Sequence, residues 1–193
     1  MISCVVLAAG ESRRFGPPKA LADLGGTTAI ETIQRTLIAS SVGEVIIVLG
    51  AHQNLIEPHV FNHKKVKVVH NKNYKLGQAS SFQAGVASVD KNSGGFMLWP
   101  VDCPWIAASA IEELARTFEK DRPRILVPVF NGRRGHPPVF NASLKKEILD
   151  LPVSEGLNAL FTRYPPQEMQ AKDEGVVKTF NTPQELSNVK KSS

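Results

Sequence analysis

The stretch LAAGESRRFGPPK, residues 7–19, decides how this sequence folds and what it can bind. It follows an apolar run, residues 2–7, whose paired valines favour an extended conformation, so the stretch is predicted to leave a buried first strand. Small residues at Ala8, Ala9 and Gly10 let a flat or anionic ligand approach the main chain. We refer to residues 7–19 as the signature loop.

Cations in the signature loop predict a phosphate site. Arg13, Arg14 and Lys19 place positive charge beside unpaired backbone N–H groups that follow a strand. Two familiar phosphate loops are excluded, because Gly10 and Gly16 are spaced too widely for a dinucleotide fingerprint, and two prolines separate the second glycine from the lysine that a P-loop requires. A glycine–proline loop with solvated cations is the structural alternative.

The rest of the chain alternates apolar runs with helical patterns, which predicts an α/β fold with a parallel sheet. Thr28 is expected to cap a helix, and residues 45–50, 66–69 and 96–99 are expected to be strands. Beyond residue 119 the pattern is mixed. It predicts a strand at 125–130, an extended piece HPPVF whose prolines suit an edge or loop, helices at 142–149 and 157–164, and a last strand at 176–180.

Composition favours one compact domain of 193 residues, with 42% hydrophobic residues and a formal charge of +5. The charge suits an anionic ligand, but the basic residues are dispersed, so we expect no nucleic-acid partner. Two cysteines, no export signal and no long apolar stretch predict a cytoplasmic protein without a membrane partner. His59 and His63 have no third ligand nearby in the sequence, which argues against a zinc site.

The stretch NYKLGQASS, residues 73–81, follows the predicted third strand and opens a helix. Helix N-terminal N–H groups with Ser80 and Ser81 beside them can receive a phosphate or the polar edge of a base. An ordinary helix cap is the alternative interpretation of the two serines.

Asp102 stands where the apolar run GFMLWP meets a loop. A carboxylate at the carboxyl end of a strand is well placed to hold Mg²⁺, a hard cation that prefers oxygen ligands and bridges to substrate phosphates. Capping of the helix that begins near Ala107 is the alternative role.

The signature loop resembles the L-A-[AG]-G-x-x-x-R-[MF]-G-x-x-K pattern of MobA-like nucleotidyltransferases, in particular the molybdenum-cofactor cytidylyltransferase branch. The resemblance implies a three-layer α/β/α sandwich of the nucleotide-diphospho-sugar transferase type with a mostly parallel sheet. It also implies a division of the single domain 1–193 into a nucleotide-binding part (1–105) and an acceptor-binding part (106–186), while residues 187–193 are expected to fray.

The implied activity is Mg²⁺-dependent transfer of a nucleotidyl group, with CMP from CTP favoured, to a phosphorylated acceptor such as molybdenum-bound molybdopterin. Arg14 and Lys19 are the implied catalytic residues, and Asp102 is the metal ligand. Nucleotide binding is assigned to Leu7, Ala8, Ala9, Gly10, Asn71, Gly77, Ser80 and Ser81. The G-H-P segment assigns acceptor binding to Gly135 and His136, although a loop histidine satisfied by backbone is an equal interpretation of the latter.

Two departures from the family pattern lie in the last third of the chain. Ser154 and Asn181 stand where aspartates are expected, so Asn181 is at most a weak second contact to the metal. Alternative functions are a nucleotide- or pterin-binding protein that delivers cofactor to a molybdoenzyme, or a transferase that acts on a sugar phosphate or another small phosphorylated alcohol.

Overall fold

A computed structural model describes residues 1–191 of the chain. Within them eight strands form one sheet: β1 (Ile2–Ala8), β2 (Glu44–Leu49), β3 (Val66–His70), β4 (Gly95–Pro100), β5 (Ile125–Phe130), β6 (Arg133–Arg134), β7 (Val139–Asn141) and β8 (Gln167–Gln170). The α-helices are α1 (Ala29–Ala39), α2 (Gln53–Ile56), α3 (Gln78–Ala87), α4 (Ala108–Asp121), α5 (Lys145–Asp150), α6 (Asn158–Arg163) and α7 (Pro183–Lys191). No helix in the described part of the chain is long and apolar enough to cross a membrane.

The sheet is mostly parallel, as the sequence predicts. Its strand order is β3-β2-β1-β4-β7-β5-β6, and β8 joins it through β5. The first four strands are parallel neighbours, and β8 is parallel to β5, whereas β6 and β7 are antiparallel to the strands beside them. Since the carboxyl ends of parallel strands lie at one edge, the loops that follow β1 and β4 meet there.

Helices cover both faces of the sheet. In β1, Cys4 and Val6 face the core that includes α1 and α4, while Val5 and Leu7 face the core that includes α3 and α5. This alternation places apolar side chains on both faces of a strand in which every residue is buried. The predicted three-layer α/β/α sandwich is confirmed.

Helix α1 begins with a capping box, as expected from Thr28. The Glu31 N–H donates to the Thr28 hydroxyl at 3.3 Å, and the Thr28 N–H donates to the Glu31 carboxylate at 2.9 Å. His59 approaches the same carboxylate through Nδ1 at 3.1 Å. The Thr28 backbone donor, followed by His59, lowers the pKa of Glu31 to about 2.

The predicted strand at 176–180 is wrong. Residues Glu174–Val177 form a 3₁₀ helix, whose turn is closed by the Asp173 carboxylate accepting from the Gly175 N–H at 2.8 Å. The place beside β5 is taken by β8, an edge strand with one buried residue, Met169. The run QEMQ has one apolar residue and therefore gives little sign of a strand. The run VVKTF begins with two valines, which favour a strand, although they lie in the 3₁₀ helix.

The prolines of HPPVF lie in a loop, as expected, and Val139 and Phe140, which follow them, are extended and belong to the interior strand β7 between β4 and β5. The frayed segment expected from residue 187 is helical as far as Lys191, because α7 starts at a proline and buries Leu186 against Phe180. Residues 192 and 193 of that expectation lie outside the described residues.

Candidate active site

A cavity of about 410 Å³ opens at the edge of the sheet where β1 and β4 end. In the parallel register Leu7 lies opposite Pro100, and the Val101 N–H donates to the Leu7 carbonyl at 3.2 Å. Asp102 therefore emerges directly beside the signature loop. This is the edge at which open α/β sheets bind ligands.

The signature loop folds around Ser12. The N–H groups of Phe15 and Gly16 both donate to the Ser12 carbonyl at 2.9 Å, and the Ser12 hydroxyl accepts from the Lys19 N–H at 2.9 Å. Gly16 has φ of 96°, a value that glycine adopts readily. The main chain of Lys19 is thus fixed by a serine seven residues earlier.

The segment after β2 supports the signature loop from behind. The Ala51 N–H donates to the Ala9 carbonyl at 3.0 Å, and His52 Nε2 lies 3.1 Å from the Glu11 carbonyl. A side chain at Gly50 would place its Cβ 2.7 Å from the Ala9 carbonyl oxygen. Close packing at this point leaves room for glycine alone.

The polar centre of the cavity is the Lys19 ammonium. Lys19 Nζ donates to Asp102 Oδ2 at 2.7 Å and to Asn181 Oδ1 at 3.0 Å. Arg14 Nη2 donates to the same Asn181 oxygen at 3.1 Å. The cap role for Asp102 is excluded, because the N-cap of α4 is Ala107, whose N–H donates to the Asp173 carboxylate at 2.8 Å.

Aromatic packing brings Asn181 to this centre. The Phe180 N–H donates to the Asp102 carbonyl at 3.1 Å. The Phe180 ring contacts Phe15 and Trp105, with centroid distances of 5.3 and 5.6 Å. Asn181 therefore belongs to the cavity although the strand expected to carry it does not exist.

Most of the residues assigned from sequence line this cavity. They are Leu7, Ala8, Ala9, Gly10, Arg14, Lys19, Gly77, Ser81, Asp102 and Asn181. A Cβ added at Gly10 would meet no atom of the described residues within 4 Å, apart from its own chain neighbours, so packing does not explain the glycine. Open space at this position leaves the main chain accessible to a ligand.

Asn71 and Ser80 lie behind the cavity wall. Both are buried, and the Asn71 side-chain amide donates to the hydroxyls of Ser80 and Ser81 at 3.1 and 3.0 Å. The single proton of the Ser80 hydroxyl is shared between the carbonyls of Asn73 and Gly77, at 3.0 and 2.9 Å. These two residues shape the loop before α3, and neither is among the residues that line the cavity. Ser80 and Ser81 do not cap helix α3, because its N-cap is Gly77.

Gly135 and His136 contact the 3₁₀ helix rather than the cavity. A Cβ at Gly135 would lie 2.4 Å from the Val176 carbonyl oxygen, and the His136 N–H donates to that oxygen at 2.7 Å. His136 Nδ1 is a buried atom without a hydrogen-bond partner among the described residues. Burial lowers the pKa of His136, and the negative charge of Asp102 opposes that shift.

Several lining residues have no role assigned from sequence, and Ser12, Tyr74, Lys75 and Gln78 are polar examples. Ser12 gives no signal for its role, since a serine with φ of 54° cannot be recognised in advance. The others, Tyr74, Lys75 and Gln78, stand in the NYKLGQASS stretch beside Gly77. Their proximity to that glycine was the available signal.

The oxygens of Asp102 and Asn181 fit a divalent cation. They converge on one ammonium group, which marks a point where positive charge is stabilised. Among the described residues no group of three His, Cys, Asp or Glu side chains could hold a metal ion. The two oxygens suit Mg²⁺, which commonly binds one or two protein oxygens and completes its shell with phosphates and water.

Side chains considered for other chemistry have partners elsewhere. His63 Nδ1 accepts from the Lys65 N–H at 3.2 Å, and His59 pairs with Glu31. Burial, followed by the charge of Asp102, raises the pKa of the Cys103 thiol. Ser154, the other departure from the family pattern, is exposed and does not line the cavity.

Comparison with known proteins finds relatives of more than one named activity. The chain is 29% identical over 177 residues to nicotine blue oxidoreductase from Paenarthrobacter nicotinovorans, covering 86% of this chain and 83% of that protein. It is 30% identical over 155 residues to a probable molybdenum cofactor guanylyltransferase from Bacillus cytotoxicus, covering 78% and 73%. It is 20% identical over 189 residues to the molybdenum cofactor cytidylyltransferase of Escherichia coli, covering 98% and 95%.

Solved structures share the fold. Rv0371c from Mycobacterium tuberculosis superposes with a TM-score of 0.85 at 23% identity, covering 98% of this chain and 97% of that chain. Another structure of Rv0371c is a complex with manganese, with a TM-score of 0.81.

The family assignment rests on a sequence profile that spans most of the chain. The profile of the MobA-like NTP transferase domain matches residues 4–169. This range contains both the signature loop and Asp102, which the structure places in one cavity. The chain therefore belongs to the MobA-like NTP transferase domain family.

Proposed function

We propose that the protein transfers a nucleotidyl group, most favourably CMP from CTP, to a phosphorylated acceptor and releases pyrophosphate. The observation that carries the proposal is the convergence of Lys19, Arg14 and Asp102 beside an open glycine-bearing loop at the carboxyl edge of the sheet. Cations and a metal-binding carboxylate beside exposed main chain are what a nucleoside triphosphate requires.

In the proposed reaction an acceptor phosphate oxygen attacks the α-phosphorus of the triphosphate. A new phosphorus–oxygen bond forms, and the bond to the bridging oxygen breaks, with its electron pair leaving on pyrophosphate. Arg14 and Lys19 hold the triphosphate and stabilise the charge on the leaving group, while the backbone of residues 7–10 contacts the base and ribose. Positioning and charge neutralisation do most of the catalytic work, so no nucleophilic side chain is needed.

Asp102, with the Asn181 amide oxygen as a weaker ligand, would hold Mg²⁺. The ion supplies charge neutralisation at the triphosphate. Asn181 contributes no charge of its own, so the site depends on Asp102 and on the phosphates.

The proposed acceptor is molybdenum-bound molybdopterin. Three segments resemble the cytidylyl branch: LAAG (residues 7–10), G-x-x-x-S (residues 77–81) and G-H-P (residues 135–137). Because other relatives are named as guanylyltransferases, GTP is the second candidate for the donor. Gly135 and His136 are proposed to act on the acceptor side of the domain. A molybdoenzyme that receives the product is a proposed partner.

The two buried free thiols, Cys4 and Cys103, accord with a cytoplasmic location.

Two alternatives have specific support. The neutral Asn181 favours a nucleotide- or pterin-binding delivery protein with weak catalysis. The similarity to an enzyme named as an oxidoreductase favours a redox protein whose cavity holds a nucleotide-bearing electron donor.

A ligand panel followed by an activity assay separates these candidates. Thermal shifts with CTP, GTP, ATP and UTP plus Mg²⁺, and with NADH and NADPH, identify the ligand, because binding to the folded state raises apparent stability. Incubation with the selected triphosphate, Mg²⁺ and molybdenum cofactor should then release pyrophosphate. Binding without release supports the delivery protein, and a shift confined to NADH or NADPH supports the redox protein.

Lys19→Ala should abolish transfer in a folded protein. A cation aimed at developing phosphate charge is typically worth a few kcal/mol, or roughly a hundredfold or more in rate. The cost in stability should be roughly 2 kcal/mol, because Nζ donates two hydrogen bonds that are worth about 1 kcal/mol each. Lys91→Ala, which removes an exposed lysine from the loop before β4, is the matched control and should keep wild-type turnover. Wild-type turnover in Lys19→Ala would contradict the assignment.

A further inference from the structure

The Lys19 ammonium occupies the point between the two oxygens that are proposed to hold the metal. Nζ lies 2.7 Å from Asp102 Oδ2 and 3.0 Å from Asn181 Oδ1. We propose that in the nucleotide-free protein Lys19 stands in for the divalent ion, so that ion and lysine exclude each other and the metal enters only with the triphosphate. This inference rests on the proposed function and adds an order of binding to it.

The ion pair between Lys19 and Asp102 is partly shielded from water. The Lys19 and Asp102 side chains are only 17% and 23% exposed, so water screens their attraction less than at an open surface. The main chain of Lys19 is fixed by the Ser12 hydroxyl, and the next residue, Ala20, is buried. Release of Asp102 therefore requires rotation of the lysine side chain, whose four-carbon stem is flexible, and no movement of the loop.

The charges around these oxygens make a poor metal site while no nucleotide is bound. Asp102 supplies one negative charge, Asn181 supplies none, and Arg14 also donates to the Asn181 oxygen. A divalent ion would have to displace one cation and remain beside another. A triphosphate reverses this balance, because its oxygens draw Lys19 and Arg14 away and also coordinate the ion.

Binding of Mn²⁺ in the absence of catalysis tests the proposal. The free Mn²⁺ signal in electron paramagnetic resonance gives the affinity, measured with and without a CTP analogue whose α,β-bridge cannot be cleaved, after correction for the Mn²⁺ that the analogue binds in the absence of protein. Wild-type protein should bind Mn²⁺ at least tenfold more tightly with the analogue than alone. Lys19→Met should bind Mn²⁺ alone at least tenfold more tightly than wild type does, because no ammonium then lies against Asp102 Oδ2.

Three further variants test whether the gain in Mn²⁺ affinity of Lys19→Met arises at Asp102. Lys91→Met removes the same charge at an exposed position and should bind Mn²⁺ as wild type does. The double variant Lys19→Met with Asp102→Asn should not show the gain in Mn²⁺ affinity. Lys19→Gln, which cannot carry a charge but retains hydrogen bonding, serves if Lys19→Met fails to fold, and it should show the same direction of change.

The possible outcomes distinguish a failure of this inference from a failure of the proposed nucleotidyl transfer. Equal Mn²⁺ affinity of the nucleotide-free wild type and Lys19→Met, with the analogue still tightening binding in wild type, overturns the inference and leaves the function standing. A gain that survives Asp102→Asn also overturns it, since the ion then lies elsewhere. Failure of folded wild-type protein to bind Mn²⁺ even with the analogue overturns both.

Discussion

Gly10 has open space where a side chain would stand, since, apart from its chain neighbours, a Cβ there would meet no atom within 4 Å in the described part of the chain. Its φ is not among the positive values in the chain, so alanine can adopt the same backbone conformation. Gly10→Ala should keep or raise stability by up to about 1 kcal/mol through a less flexible unfolded chain. CTP affinity should fall at least tenfold, about 1.4 kcal/mol, if the main chain contacts the ligand.

Thermal unfolding and calorimetric titration of the same Gly10→Ala preparation measure both quantities. A stable variant with unchanged CTP affinity would place the nucleotide away from the signature loop.

Individual residues could be predicted where the signal is local. The spacing of the signature loop predicts that Gly10 and Lys19 share one site, and both line the cavity. The resemblance places Asp102 and Asn181 at the same site, but the hydrogen bond from Lys19 to Asn181 has no local signal, because the two residues are 162 positions apart and aromatic packing brings them together. Ser12 was missed because its role depends on a left-handed backbone conformation that serine rarely adopts.

Among the elements, α1 offers a test by pH. The Glu31 carboxylate accepts from the Thr28 N–H, and the pKa of Glu31 is lowered to about 2 from an ordinary value of 4.5. A depressed folded-state pKa means that this contribution to stability is complete above pH 4.5 and is lost as pH falls towards 2.

Glu31→Gln keeps a capping-box acceptor but removes the charge. The variant should be less stable than wild type by roughly 1 kcal/mol at pH 7, the value of a carboxylate in a first helical turn. The difference should vanish near pH 2. Urea unfolding across this range measures it, and a difference independent of pH would show that the carboxylate charge is not involved.

Strand prediction succeeded where burial on both faces produces continuous apolar runs, as in VIIVLG and GFMLWP. It failed in the last third for the opposite reason. β8 is an edge strand that buries only Met169. Val176 belongs to the 3₁₀ helix, and its carbonyl accepts from the His136 N–H. Period-two alternation is weak in a strand of four residues, and an apolar run alone does not distinguish a strand from a buried turn.

At the scale of the whole molecule, Phe180 joins the C-terminal segment to the signature loop. It is fully buried between Phe15 and Trp105, and Asn181 follows it into the cavity. Phe180→Ala should cost about 3–5 kcal/mol of stability. It should also weaken CTP binding by the folded protein, because Asn181 loses its support.

Phe118→Ala is the matched control, since Phe118 is equally buried but packs against Gly95 at the far end of β4. It should lose similar stability and keep its CTP affinity. Phe180→Leu, which stays apolar, serves if the alanine variant does not fold. Equal CTP affinity in the Phe180 and Phe118 variants would contradict a joining role for Phe180.

The most direct measurement is a crystal structure with Mn²⁺ and the non-cleavable CTP analogue, in which anomalous scattering locates the ion. The account predicts one Mn²⁺ about 2 Å from an Asp102 carboxylate oxygen and bridged to the phosphates, with the base over residues 7–10. Lys19 Nζ should have left Asp102 for a phosphate oxygen at about 3 Å. An analogue bound outside this cavity, or an ion held away from Asp102, would contradict the account.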